Sequence, residues 1–73
     1  LSLPALNHLI KPMAINPPDY CLNAKLVQKA HQAGQKIYPW TVNSLEFLKK
    51  CVELEVDGII TDDPIWARNH MIG

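Results

Sequence analysis

The fold of this chain is decided by residues 36–64, which read KIYPWTVNSLEFLKKCVELEVDGIITDDP. Two apolar runs in this stretch end in the tetrapeptides Trp40-Thr41-Val42-Asn43 and Ile60-Thr61-Asp62-Asp63. A helix-like pattern of apolar residues follows each tetrapeptide. A repeated strand–helix order predicts parallel strands with right-handed crossovers, and proteins of this kind place their ligands where the strands end.

The same alternation extends toward the N-terminus. We expect a short helix around residues 6–10, a short strand over residues 13–16 and a loop over residues 17–22. Residues 23–33 then predict an amphipathic helix, because their apolar side chains recur with helical spacing. Gly34 follows at the position where a helix commonly ends in the left-handed conformation that glycine adopts without a Cβ penalty.

The segment Lys36–Val42 is rich in β-branched and aromatic residues and predicts a strand. Pro39 is its anomaly, because proline has no N–H group to donate to a central strand ladder. Asn43 or Ser44 is expected to cap the helix that follows. The apolar stripe that we expect this helix to bury consists of Leu45, Leu48 and Val52, widened by Phe47, Cys51 and Leu54.

Residues 56–61 predict a further strand, in which Gly58 indicates the close approach of another group. Asp62-Asp63-Pro64 opens a last helix that we expect to run to about His70, with proline suited to its first turn. The predicted order is therefore three strand–helix units with parallel strands. Such a sheet has two open edges and one uncovered face, so the pattern indicates part of a larger sheet or barrel.

Length and composition agree with a piece of a globular interior. The chain has 73 residues, begins at Leu1 rather than Met, and is 48% hydrophobic and 19% charged. We therefore expect it to be cut from a longer protein. Seven basic residues balance seven acidic ones, which argues against nucleic-acid binding. Cys21 and Cys51 lack any metal-binding or disulfide-rich spacing, so we interpret both as reduced, half-buried small residues.

Three motifs together resemble the C-terminal portion of the glycerophosphodiester phosphodiesterases. They are His31-Gln32-Ala33-Gly34, Pro39 to Asn43, and Val56 to Pro64, in matching order and spacing, and the resemblance covers residues 22–66. It implies a TIM (β/α)₈ barrel, of which residues 1–73 would form the last three βα units. It also implies hydrolysis of glycerophosphodiesters to glycerol 3-phosphate and an alcohol, with a bound divalent cation, Mg²⁺ or Ca²⁺.

The family's catalytic residues lie in a His-Arg-Gly segment and a following Glu-x-Asn segment, and neither motif occurs in this sequence. We therefore expect no catalytic residues and no metal ligands in this chain, and no activity from the chain alone. The expected partners are a small glycerophosphodiester and either the rest of the barrel or a second copy, through the open edges.

The candidate substrate-binding residues implied by the resemblance are Trp40, Asn43, Thr61 and Asp62. Trp40 would form part of the pocket wall, since an indole joins a large apolar face to one N–H donor. The alternative is a tryptophan packed between strand and helix. Asn43 is as well suited to capping a helix as to contacting substrate, and for Thr61 and Asp62 helix capping is the favoured alternative.

Two further positions carry expectations of their own. Asp57 precedes its strand, so it should lie at the opposite edge from Asp62, which argues against a metal site built from the aspartates. Glu55 stands where the family usually has glycine, and a left-handed conformation there would cost about 1–2 kcal/mol.

Two other functions stay open from the sequence. One is a non-catalytic barrel, or a truncated product that serves as an interaction module. The other is a phospholipase D-like activity on lysolipids. The upstream sequence separates the first from the hydrolase, and the reaction products separate the second.

Overall fold

A computed structural model describes residues 13–72 as an α/β arrangement with two parallel strands. The helix predicted around residues 6–10 lies outside the described residues. The elements in chain order are β1 (Ala14–Ile15), a 3-10 helix (Asp19–Cys21), α1 (Ala24–Gln32), β2 (Lys36–Ile37), α2 (Leu45–Glu53) and α3 (Pro64–Ile72). The first two strands are each followed by a helix, as the sequence predicts, but residues 19–21 of the predicted loop form a 3-10 helix.

The two strands pair in parallel, with Ala14 opposite Lys36 and Ile15 opposite Ile37. The N–H of Lys36 donates to the carbonyl of Met13 at 2.9 Å, and the N–H of Tyr38 donates to that of Ile15 at 3.0 Å. This evenly spaced pattern is typical of a parallel ladder. The pairing continues past the regular strands, because the N–H of Trp40 donates to the carbonyl of Pro17 at 3.1 Å.

Residues 56–61, the third segment, do not form the regular strand that the sequence predicts. The segment still lies beside β2 and its extension, since Gly58 N donates to Ile37 O at 3.3 Å and Ile60 N donates to Pro39 O at 2.9 Å. A parallel ladder would next require the N–H of residue 39, which proline lacks. Beyond that gap, Val42 N reaches Ile60 O at 2.8 Å. The predicted proline anomaly is thus the reason for the interrupted ladder.

Helix α1 begins and ends as the sequence predicts. Asn23 caps it, and its side-chain oxygen accepts a hydrogen bond from Leu26 N at 2.8 Å. Gly34 follows the helix with a φ of 74°, in the left-handed region. This confirms the helix end expected from the glycine.

Helix α2 is capped by Ser44, whose hydroxyl accepts a hydrogen bond from Phe47 N at 3.1 Å. The alternative of an Asn43 cap is therefore wrong. The predicted buried stripe is also partly wrong, since Leu45 and Val52 are 43% and 54% exposed. The face of α2 that is buried carries Phe47, Leu48 and Cys51, so the helix is rotated about its axis relative to the predicted orientation.

The core lies between the helices and one face of the sheet. Its buried members are Leu22, Val27, Ala30, Ile37, Val42, Phe47, Leu48 and Cys51. Both cysteines are free, as expected, but Cys21 is exposed rather than half-buried, because it lies in the surface 3-10 helix. Lys50 holds that helix against α2 by donating to both the carbonyl and the carboxylate of Asp19, at 3.0 and 2.9 Å.

Two backbone features near the third segment confirm their predictions. Glu55 has a φ of 58°, so a non-glycine residue occupies the left-handed region. Gly58 lies under the ring of Tyr38, and a Cβ added to Gly58 would lie 2.8 Å from a Tyr38 ring carbon. No larger residue fits at position 58 without moving that ring.

Helix α3 begins at Pro64 and extends to Ile72, slightly beyond the predicted end at His70. Asp63 precedes it, and its carboxylate accepts a hydrogen bond from Trp66 N at 3.0 Å. Proline suits this first helical position, where its missing N–H has no partner to lose. Over residues 13–72, no helix has the length and hydrophobicity that crossing a membrane requires.

Candidate substrate-binding edge

Three of the four candidate residues form one hydrogen-bonded cluster. It lies where residues 38–42, which extend β2, and the third segment end. Asn43 Nδ2 donates to Asp62 Oδ2 at 2.8 Å, and Thr61 Oγ1 donates to Asn43 Oδ1 at 3.2 Å. The backbone N–H of Asp62 also donates to Asn43 Oδ1, at 3.1 Å. The Asn43 amide therefore joins two chain segments that lie 18–19 residues apart in sequence.

The cluster changes the roles that the sequence favoured for these residues. Helix capping by Thr61 and Asp62 is wrong, because Asp63 provides the side-chain cap of α3. Thr61 holds the capping residue in place, because its Oγ1 accepts a hydrogen bond from Asp63 N at 3.2 Å. Asp62 accepts from the Asn43 amide instead, and both residues are exposed at this edge.

Trp40 lies at the same end of β2, with 47% of its surface exposed. Its indole Nε1 donates to the backbone carbonyl of Asn16 at 2.7 Å, and its peptide bond to Thr41 is cis. The alternative of a tryptophan packed between strand and helix is wrong, because the indole does not belong to the core. The ring is instead held at the edge with its polar atom satisfied.

Asn16 also lies at this edge, although the sequence pattern did not indicate it as a site residue. Its Nδ2 donates to the carbonyl of Tyr38 at 3.2 Å, while its own carbonyl accepts from Trp40. Asn16 lies directly after β1, so it is the strand-end counterpart of Asn43. The available signal was its place between the apolar run 13–15 and the prolines 17 and 18.

The opposite edge of the sheet carries a separate polar cluster. Asp57 Oδ2 lies 2.8 Å from His31 Nε2 and accepts from Ile37 N at 2.8 Å, while Lys36 Nζ is 3.8 Å from Oδ1. The hydrogen bond from Ile37 N, aided by the one with His31, lowers the pKa of Asp57 below its ordinary value. Asp57 and Asp62 thus lie at opposite edges, as predicted.

The described residues do not provide a cation site. Within residues 13–72, no three His, Cys, Asp or Glu side chains converge closely enough to hold a metal ion. At the candidate edge, Asp62 already accepts a hydrogen bond from Asn43, and Asp63 is used by the helix N-terminus. A divalent cation therefore does not fit these residues alone.

Parallel strands, following helices and polar side chains gathered where the strands end define a parallel α/β protein, a class whose members place their ligand sites at the strand ends. The sequence profile of the glycerophosphoryl diester phosphodiesterase family matches residues 2–65. The chain belongs to that family.

A curated glycerophosphodiester phosphodiesterase from Caldanaerobacter subterraneus subsp. tengcongensis is 37% identical over 51 residues, which are 70% of this chain and 21% of the relative. A solved structure from Silicibacter pomeroyi, described as a glycerophosphoryl diester phosphodiesterase, matches with a TM-score of 0.81 and 30% identity. That match covers 99% of this chain and 24% of the solved one. The chain thus spans about a fifth to a quarter of the length of these relatives.

Proposed function

We propose that this chain is part of a hydrolase that cleaves glycerophosphodiesters to glycerol 3-phosphate and an alcohol. The observation that carries the proposal is the convergence of Asn43, Thr61 and Asp62 where two neighbouring chain segments end. This is the edge at which parallel α/β enzymes bind substrate. Membership of the phosphodiesterase family supports the reaction assigned to it.

We further propose that the chain forms the last three βα units of a (β/α)₈ barrel. Alternate side chains of a strand point to opposite faces, and here the two faces differ. Ile37 and Pro39 are almost fully buried on the helix side. Trp40 and Ile60 are 47% and 45% exposed, as expected of residues that a complete barrel would enclose.

The cluster suits the polyol end of the substrate better than its phosphate. Asp62 and Asp63 place negative charge at this edge, which disfavours a phosphate anion but accepts hydrogen bonds from glycerol hydroxyls. Asn43 orients the Asp62 carboxylate through its Nδ2. Trp40 offers an apolar ring face to the glycerol carbons or the alcohol group. We assign this chain a substrate-binding role.

We assign proton transfer and metal binding to residues outside this chain. The residues that move protons and the ligands of the divalent cation would come from the preceding part of the barrel, because the chain has neither His-Arg-Gly nor Glu-x-Asn. The cation would supply charge stabilisation at the phosphoryl group. The chain alone is expected to be inactive.

The direct test is hydrolysis of glycerophosphocholine by the full-length protein with Mg²⁺ or Ca²⁺. Residues 1–73 alone serve as the negative control, and glycerol 3-phosphate is measured as the product. Release of glycerol 3-phosphate by the full-length protein supports the proposal. Absence of hydrolysis above background for glycerophosphocholine, glycerophosphoethanolamine and glycerophosphoglycerol overturns it and favours a non-catalytic barrel.

The uncovered face and strand edges also predict the behaviour of the isolated chain. Exposed apolar side chains and unpaired backbone groups favour association with the rest of the barrel or with a second copy. Light scattering of residues 1–73 should therefore show oligomers. A monodisperse monomer with a sharp cooperative melt would contradict the barrel proposal.

A further inference from the structure

We propose that Asn16 is a positioning residue that fixes the orientation of the Trp40 indole at the substrate-binding edge. This inference rests on the proposed function, because it gives Trp40 its role as part of the pocket wall. Asn16 does not need to touch substrate itself. It acts through the ring that it holds.

The first step is the direct contact between the two residues. Trp40 Nε1 donates to the Asn16 carbonyl at 2.7 Å, a shorter hydrogen bond than those of Asn43, Thr61 and Asp62 at this edge. An indole has a single donor and no acceptor, so this bond satisfies its whole polar capacity. Rotation of the ring away from this position would break the bond and leave the N–H to be solvated.

The second step is the anchor of Asn16 itself. Its Nδ2 donates to the carbonyl of Tyr38 at 3.2 Å, on the neighbouring strand. The side chain therefore bridges β1 and β2 just where the regular pairing ends. This bridge holds the Asn16 peptide in the orientation in which its carbonyl points at the indole.

The third step is the rigidity of the segment after Asn16. Two prolines follow, so φ is fixed at both positions, and Asn16 itself is restricted to extended conformations. The carbonyl of Pro17 accepts from Trp40 N at 3.1 Å, and Pro18 forms an isolated bridge with Trp40. Residues 16 and 17, which follow β1, thus accept hydrogen bonds from both the indole N–H and the backbone N–H of Trp40.

The consequence is an ordered ring on a residue that is 47% exposed in this chain. A wall residue that is already fixed before substrate arrives loses less side-chain entropy on binding. Loss of the Asn16 anchor should therefore weaken substrate binding without removing any group that contacts the reacting atoms. The expected kinetic signature is a raised KM with kcat little changed.

The experiment compares N16A and N16D with N69A in the full-length protein. N16A and N16D both lack the Nδ2 donor, whereas N69A removes an exposed asparagine on α3. The first readout is solvent exchange of the Trp40 indole N–H by NMR, with the resonance assigned by its absence from W40F. The second is steady-state hydrolysis of glycerophosphocholine.

We expect N16A and N16D to accelerate indole N–H exchange by about tenfold, and to raise KM by about fivefold with kcat within about twofold. N69A should leave both readouts at the wild-type values. Wild-type indole exchange in N16D would overturn the proposal, because the Nδ2 donor would then be dispensable. If the protein hydrolyses no glycerophosphodiester, the proposed function fails, while the exchange measurement still decides whether Asn16 positions the ring.

Discussion

His31 and Asp57 are joined by a hydrogen bond of 2.8 Å between Nε2 and Oδ2, which ties the end of α1 to the start of the third segment. The same carboxylate oxygen accepts from Ile37 N at 2.8 Å. Three elements therefore meet at one side chain, at the edge opposite the candidate substrate-binding residues. In TIM barrels, the fold that we propose for the whole protein, that opposite edge serves stability rather than catalysis.

Replacing Asp57 should destabilise the protein without affecting substrate binding. D57A removes the acceptor shared by His31 and Ile37 N–H. We expect the free energy of unfolding at pH 7 to fall by about 1–2 kcal/mol, because solvent screens the interactions of this carboxylate and keeps their energy small. KM for the glycerophosphodiester should stay at the wild-type value. Urea denaturation and steady-state kinetics of the full-length protein measure the two effects.

The pH dependence of D57A gives a sharper check. The pKa of Asp57 is lowered in the folded protein, so its ionised form stabilises the fold above its ordinary pKa of about 4. That stabilisation is lost as pH falls through the lowered pKa. The difference between wild type and D57A should therefore shrink as the pH falls below about 4. A difference that grows over that acidic range would contradict the assignment.

Asn43 is predicted to matter for substrate binding and little for the start of α2. N43A removes the donor that holds the Asp62 carboxylate and the acceptor used by Thr61, so we expect KM to rise by about tenfold, equivalent to about 1.4 kcal/mol. S44A is the matched control at the next position. It removes the helix cap and should cost about 1 kcal/mol of stability with KM unchanged.

The opposite pattern would assign the roles differently. If S44A raised KM and N43A lowered only the free energy of unfolding, the cluster would be a structural link between two segments. Both variants are measured in the full-length protein with glycerophosphocholine.

Features that depend on neighbouring residues can be predicted from the sequence. Local signals sufficed where the interaction is local: Gly34 ended a helix, and Pro64 began one. The sequence leaves the cap of α2 open between Asn43 and Ser44, because both are good caps and the choice between them depends on Thr61 and Asp62 far along the chain. A capping rule that considers only neighbouring residues does not include hydrogen bonds to residues that are distant in sequence.

The same reasoning applies to the faces of α2 and to Asn16. Apolar periodicity located the helix, but its rotation depends on which neighbour it packs against, so Leu45 and Val52 were placed on the wrong face. Asn16 was missed because its partners, Tyr38 and Trp40, lie on another strand. Contacts between strands can be predicted only when the register of the strands is known. Here the register places Ile15 opposite Ile37, and the sequence alone does not show that pairing.

The two cysteines should differ strongly in reactivity. Burial, and secondarily the charge of Asp19, raises the pKa of Cys51 to about 11, whereas Cys21 is exposed. Because the thiolate is the reactive form, iodoacetamide at pH 8 should modify Cys21 and leave Cys51 intact. Mass spectrometry of the peptides gives the ratio, and the same reaction in urea should modify both. Equal labelling of the folded protein would show that Cys51 is accessible.

Glu55 is predicted to lower stability through its backbone conformation. Its φ of 58° lies in the left-handed region, where a residue with a Cβ costs about 1–2 kcal/mol relative to glycine. E55G removes that cost but adds freedom to the unfolded chain, so we expect a net gain of about 0.5–1 kcal/mol in the free energy of unfolding. K49G, at an exposed position inside α2, is the control and should lower the free energy of unfolding by about 1 kcal/mol. Denaturant unfolding of both variants at pH 7 decides the sign, and a loss of stability in E55G would mean that the Glu55 side chain makes a contribution larger than the backbone cost.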